Sequence, residues 1–219
     1  MLKKLNGSTL LLTSAMVLST PAMAYEAGDI LMRVGTATVA PESTSDDVQG
    51  IGISSQASAD DNTQLGISGT YMITNNFGVE VLGATPFTHK LTGKGGLDGV
   101  NIGEVKHLPP TVSAQYFFMD SKSALQPYVG AGLNITVFFD EKVHSDLNAS
   151  YQKLDLDESV GLAVQAGIDY KINEEMFINA SAMYAKIGTT ATLEGTAGTL
   201  TADYDLDPMV YRVNFGYKF

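Results

Sequence analysis

Neither cysteine nor tryptophan occurs among the 219 residues. The absence of cysteine excludes a disulfide framework, a thiolate metal site and a cysteine nucleophile together. Basic residues are scarce: 13 Lys plus Arg face 24 Asp plus Glu, a formal charge of -11. That balance excludes the basic face a nucleic-acid partner needs. Past the N-terminus no apolar run approaches the roughly 18 residues of a helical membrane span. What the chain does have is 22 glycines, 44% hydrophobic residues and only 17% charged ones. This is too apolar for a disordered chain, and the length suits one or two domains.

The first residues read as an address. Lys3 and Lys4 precede an apolar stretch from Leu10 to Leu18, and Ala22-Met23-Ala24 supplies the small-x-small pattern of a signal-peptidase site. Residues 1–24 are therefore expected to be a cleaved export signal, and residues 25–219 the mature protein.

Beyond Tyr25, helical spacing of apolar residues gives way to period-two alternation. The C-terminus carries it most clearly: Met209, Tyr211, Val213, Phe215, Tyr217 and Phe219 alternate with Val210, Arg212, Asn214, Gly216 and Lys218. Comparable alternation recurs near residues 30–35, 65–73, 79–84, 111–118, 128–139, 160–170 and 178–184, which predicts eight strands. A strand with one apolar face and one polar face fits a soluble sandwich, where the apolar face is core. It also fits a membrane barrel, where that face meets lipid. The links discriminate. Short ones near 74–76, 120–123 and 173–175 alternate strictly with long ones near 40–62, 88–104, 140–158 and 187–207. An eight-stranded antiparallel transmembrane β-barrel has this rhythm, with short periplasmic turns and long extracellular loops. The long links are rich in Asp, Ser, Thr and Gly, which predicts solvated loops.

Several segments resemble one family. Glu26-Ala27-Gly28-Asp29 running into Met32-Arg33-Val34-Gly35 is similar to the start of mature OmpW-family outer-membrane proteins. So are Asn62-Thr63-Gln64-Leu65-Gly66, Ala84-Thr85-Pro86-Phe87, His107-Leu108-Pro109-Pro110-Thr111, Pro127-Tyr128-Val129-Gly130-Ala131-Gly132 and the closing Gly216-Tyr217-Lys218-Phe219. The resemblance implies an eight-stranded barrel in the outer membrane with a narrow, largely hydrophobic channel for passive uptake of small hydrophobic molecules. The missing tryptophan is a departure: Met183 stands where some relatives carry a bulky aromatic.

Eight strands enclose a space about wide enough for side chains or one small ligand, so a general aqueous porin is disfavoured. Among residues on the inward phase, Leu82, Met183, Phe138 and Met72 are expected to line an apolar shaft and its constriction. Arg33, Glu80, Asp169, Arg212 and Lys218 are expected to form a polar plug toward the periplasm. Pro86, Pro109 and Pro110 interrupt two neighbouring strands at one level. Lacking N–H groups, they either weaken a lateral seam through which a solute passes into the membrane or simply end strands at the rim. Tyr217 and Phe219 belong to a terminal pattern that fits both lipid contact and a signal for the outer-membrane assembly machinery.

Other residues are less specific. His89, His107 and His144 lack metal-ligand spacing and read as surface histidines, with no metal, cofactor or catalytic residue implied. His89, His107, Ser54 and Asp140 could be assembled into a lipid-modifying site, but no motif fixes their geometry. The pairs Asp46-Asp47 and Asp60-Asp61 read as solvated loop acids, or as partners of lipopolysaccharide through divalent cations. Tyr25, Tyr71, Tyr116, Tyr170, Tyr184, Tyr211 and Tyr217 suggest interfacial girdles, although tyrosine also suits ordinary strand positions. The expected partners are outer-membrane lipid and lipopolysaccharide, small hydrophobic solutes and the assembly machinery, with no nucleic acid, and the expected unit is a monomer. The alternative is a structural or surface-interaction barrel, receptor-like or adhesin-like, with a filled lumen.

Overall fold

Alternating sequence becomes strand because successive side chains of an extended chain point to opposite faces. The computed structural model describes residues 25–42, 44–45, 55–120 and 123–219. The expected export signal at 1–24, the acids Asp46 and Asp47, and Ser54 lie outside them. In chain order the strands are β1 (Ile30–Ala40), β2 (Thr44–Ser45), β3 (Ser55–Ala59), β4 (Asn62–Met72) and β5 (Phe77–Ala84). Then come β6 (Phe87–Gly95), β7 (Asn101–Leu108), β8 (Thr111–Phe117), β9 (Leu125–Val143) and β10 (Lys153–Leu156). The last are β11 (Ser159–Lys171), β12 (Met176–Ala185), β13 (Gly188–Gly195), β14 (Gly198–Asp205) and β15 (Met209–Lys218).

Eight of them close a ring: β1-β4-β5-β8-β9-β11-β12-β15 and back to β1, antiparallel throughout. Closure leaves no unpaired edge around the wall. The outward positions carry a belt of exposed aliphatic and aromatic side chains, among them Leu65, Val81, Leu162, Val213 and Phe215, each more than half exposed. In water such a belt would be costly; against hydrocarbon it is the stabilising face. Tyr71, Tyr116, Tyr170 and Tyr211 lie outward, as a girdle requires. Tyr25 does not: it is fully buried at the base of the lumen, because the segment before β1 turns under the barrel and pairs Gly28 N–H with the Met72 carbonyl at 2.8 Å. Close approach at the base depends on two glycines. A Cβ at Gly216 would run into the Phe177 ring, and one at Gly167 into the Tyr128 ring.

The long links differ from the expected loops. They are largely strand: β3, β6 and β7 continue the wall upward beside the outer part of β9, and β10-β13-β14-β2 form a second sheet. Composition conceals a second alternation there. Phe87, His89 and Leu91 point inward from β6, Val105 and His107 from β7, Leu154 and Leu156 from β10, all buried. Their outward neighbours, Thr88, Lys90, Glu104 and Lys106, are polar, so this upper wall stands above the lipid belt.

Candidate functional site

The floor of the lumen is an ion network assembled from seven strands. From β1, Arg33 gives Nη2 to Asp169 of β11 at 2.8 Å and Nη1 to Thr70 of β4 at 2.8 Å, and stands 3.7 Å from Glu80 of β5. From β15, Arg212 gives Nη2 to the Gln165 side-chain carbonyl at 2.6 Å, Nε to Ser181 at 2.9 Å and Nη1 to Glu80 at 3.4 Å. Gln165 closes the circuit, donating to Glu80 at 2.8 Å and to Ser113 at 2.6 Å. The Tyr25 hydroxyl donates to the same Asp169 Oδ2 that Arg33 engages and the Asn179 amide to Oδ1, each at 2.7 Å. All four charged residues are at most 2% exposed. Two guanidiniums against two carboxylates, with the lone pairs taken up by amides and hydroxyls, is the condition under which buried charge is tolerable.

The structure brings Arg33, Glu80, Asp169 and Arg212 together on the inward face that the alternation gives them. Lys218 is a correction. It lies at the rim, where its Nζ stands 3.7 Å from Asp29, because the last inward residue of β15 falls below the level of the network. Met72 is a second correction. It is not part of the upper shaft but packs with Tyr25, Leu31, Phe117, Tyr128 and Phe177 under the plug, since β4 descends and ends beside the short turn.

One pleat above the network the chemistry reverses. Two residues on from Glu80 comes Leu82, from Arg212 back comes Val210, and from Ser181 comes Met183, a step of about 7 Å along each strand. Leu82 and Met183 line a small apolar cavity with Ala37, Val39, Phe87 and Ile187. It shares Val39, His107, Ile187 and Pro208 with a second small cavity, lined also by Phe138 and Leu206. That one shares Leu91, Leu156 and Tyr204 with a third, larger than either, among the outer strands. The three form an apolar series from the extracellular sheets down to the plug, and none of the four plug charges lines any of them.

The lowest cavity reaches a break in the wall. Between β5 and β8 the ladder runs from Phe77↔Tyr116 to Leu82↔Thr111; between β6 and β7 it resumes at Phe87↔His107. Among the described residues no pairing joins 83–86 to 108–110, the stretch that holds Pro86, Pro109 and Pro110. Gly83, Ala84 and Pro109 line the cavity at this gap, and a Cβ added at Gly83 would meet open space.

Two residues read from the sequence as surface histidines are not. His89 and His107 are 2% and 3% exposed and meet as diagonal inward neighbours on the paired strands β6 and β7, Nε2 to Nε2 at 3.0 Å. Phe87 and Phe138 flank the His107 ring at 5.4 and 5.8 Å between centroids. The signal was the period-two placement of Phe87, His89 and Leu91. His144 is exposed and contacts Asp146. Asp140 is engaged from outside by Lys106 at 2.6 Å and Lys142 at 3.4 Å. No group of three or more metal-ligating side chains converges among the described residues. At the far end Phe219 is exposed on the belt face, its ring 4.6 Å from that of Tyr217, whose hydroxyl donates to Glu175 at 2.7 Å.

Residues 26–219 match the model of the OmpW family. The chain is 46% identical over 204 residues to outer membrane protein W of Vibrio cholerae, covering 92% of this chain and 93% of that one. It is 42% identical over 219 residues, the full length of both, to outer membrane protein W of Escherichia coli K12. The crystal structure of the outer membrane protein OprG from Pseudomonas aeruginosa superposes with a TM-score of 0.85 at 41% identity, over 90% of this chain and 98% of that one.

Proposed function

The chain belongs to the OmpW family of outer-membrane barrels, and from that premise we propose that it is a passive channel for small hydrophobic molecules. A solute enters among the outer strands, descends the apolar series and leaves sideways through the gap between β5–β6 and β7–β8 into the membrane. The observation that carries this reading is the meeting of the lowest cavity with the unpaired stretch at Pro109, directly above a floor that is closed by charge. A straight path would require an apolar solute to displace a paired ion network; the side path crosses a mostly apolar lining and a wall without ladder hydrogen bonds there. Prolines maintain the gap because they have no N–H to complete a ladder.

The reading involves no chemistry on the solute, and so no cofactor, metal or energy source. One chain closes the ring and holds the whole path, so the proposed unit is the monomer. Membrane lipid contacts the belt, and lipopolysaccharide surrounds the upper sheets. Tyr217 and Phe219, at the lipid-facing end of the last strand, suit presentation to the assembly machinery.

The test is uptake of a graded series of alkanes and polar solutes into liposomes by the Pro109→Val, Pro110→Val double variant. Both substitutions restore donors and favour the extended chain. Hydrophobic uptake should fall several-fold while the barrel folds normally. Uptake at the original rate in a folded double variant removes the lateral exit.

A further inference from the structure

Resting on the conduit reading above, we propose that His107 gives the middle of the lumen a polar subsite, an acceptor that selects apolar solutes carrying one O–H or N–H donor, such as phenols. The proton positions follow from the contacts. The His89 Nδ1 stands 2.6 Å from the backbone carbonyl oxygen of Asp60. A carbonyl has no hydrogen to give, so Nδ1 carries it, and the neutral ring keeps a lone pair on Nε2. His107 Nε2 lies 3.0 Å from that lone pair and must donate to it. The neutral His107 ring is then a bare acceptor at Nδ1, and this atom is buried with no hydrogen-bond partner among the described residues.

Neutrality of both rings follows from their surroundings. Burial holds His107 far below the ordinary histidine range, at about 3, with His89 adding to the effect. Burial also lowers His89, although Asp60 and Asp61 pull the other way. A buried acceptor without a donor is a rare and costly feature, and its presence calls for a reason.

Among the described residues that line the two cavities beside His107, none donates a hydrogen bond to Nδ1. His107 lines both the lowest and the middle cavity, and its neighbours there are mostly aliphatic or aromatic. Pro41, Pro109 and Pro208, which also line them, have no N–H to offer. The flanking Phe87 and Phe138 rings hold the imidazole plane. A solute that fills either cavity and bears one donor satisfies Nδ1; a pure hydrocarbon of equal shape leaves it unmet. An apolar pocket with one placed polar group is the usual form of a selective small-molecule site.

A matched pair tests this: 1-naphthol and 1-methoxynaphthalene, of similar size, one with a donor and one without. With no tryptophan in the chain, naphthalene fluorescence can be read directly on protein in lipid nanodiscs, against empty discs. The naphthol should bind roughly five- to tenfold tighter, the worth of one net hydrogen bond. The His89→Phe, His107→Phe double variant, which leaves no imidazole acceptor in the cavity, should remove that advantage by weakening the naphthol alone. In the unsubstituted protein with ¹⁵N-labelled histidine, the His107 Nδ1 resonance should move with the naphthol and not with the ether. That measurement decides the matter even if the variant fails to fold. Equal affinities with an unmoved resonance overturn the subsite and leave the conduit standing. Binding of neither compound overturns both.

Discussion

The lower and upper lumen are built on the same strands one pleat apart, yet they obey opposite chemistry. Below, Arg33, Arg212, Glu80 and Asp169 are held among themselves and by Gln165, Asn179 and Tyr25. Above, Leu82, Met183 and Val210 border a small apolar cavity. Where charge is buried the barrel must be full, since each ion needs partners on every side. Where the lining is aliphatic a cavity is tolerable, because those walls carry no polar group to satisfy, and His107 Nδ1 is the exception. The division teaches that the floor stabilises the barrel and dictates direction: with the bottom sealed by bonded charge, the unpaired stretch that meets the lowest cavity is the proposed way out.

The largest expected effect comes from unbalancing the floor. Arg33→Met leaves Asp169 and part of Glu80 without their cation in a site that excludes water. Breaking a buried pair this way typically costs about 3–5 kcal/mol. Urea unfolding of the protein in detergent should show the loss. A second change, Asp169→Asn, should restore much of it by removing the stranded charge. In planar bilayers the single variant should also pass small ions more readily. If Arg33→Met were as stable as the parent, the floor would not be the structural half of the lumen.

Much of this contrast is legible in the alternation, and the failures share one cause. Period-two spacing says which face a residue occupies, so the eight spans and four plug charges follow from it. It does not say at what height. Met72 and Lys218 sit on the inward face as expected, but they lie below the network, one beside a short turn and the other at the rim. Composition misled in the long links, where Ser, Thr, Asp and Gly mask the strands that roof the lumen. Histidine is half legible: the spacing of Phe87, His89 and Leu91 turns His89 inward, but the hairpin pairing of Phe87 against His107, which brings the second ring beside it, is announced by no local spacing. The role of Tyr25 rests on a contact 144 residues away along the chain.

A smaller effect is expected when polarity is raised by one pleat. Leu82→Asn puts an amide among Ala37, Met183 and Val210, where a buried unpaired polar group costs about 1–3 kcal/mol. Hydrophobic uptake should fall with it, because water held by the amide hydrates the cavity at the exit. Undiminished uptake would mean that the solute does not pass this level.

The gentlest probe is acid, which acts on the upper half through its histidine pair. Both imidazoles are held neutral by burial, His107 down to about 3. Below the ordinary histidine value near 6.5, the unfolded chain takes up protons that the folded chain refuses. Stability therefore falls as pH drops from there toward 3, where the folded ring itself protonates. One unit below the ordinary value the loss from His107 is about 1.4 kcal/mol. Asp60 and Asp61, which face His89, and the floor carboxylates also respond to acid. The quantity to measure is thus the difference between the parent and a His89→Phe, His107→Phe double variant, by urea unfolding across pH 4–7. The parent should lose stability faster over that interval. Parallel profiles would mean that the two rings do not face each other as neutral partners, and the acceptor assigned to His107 would go with them.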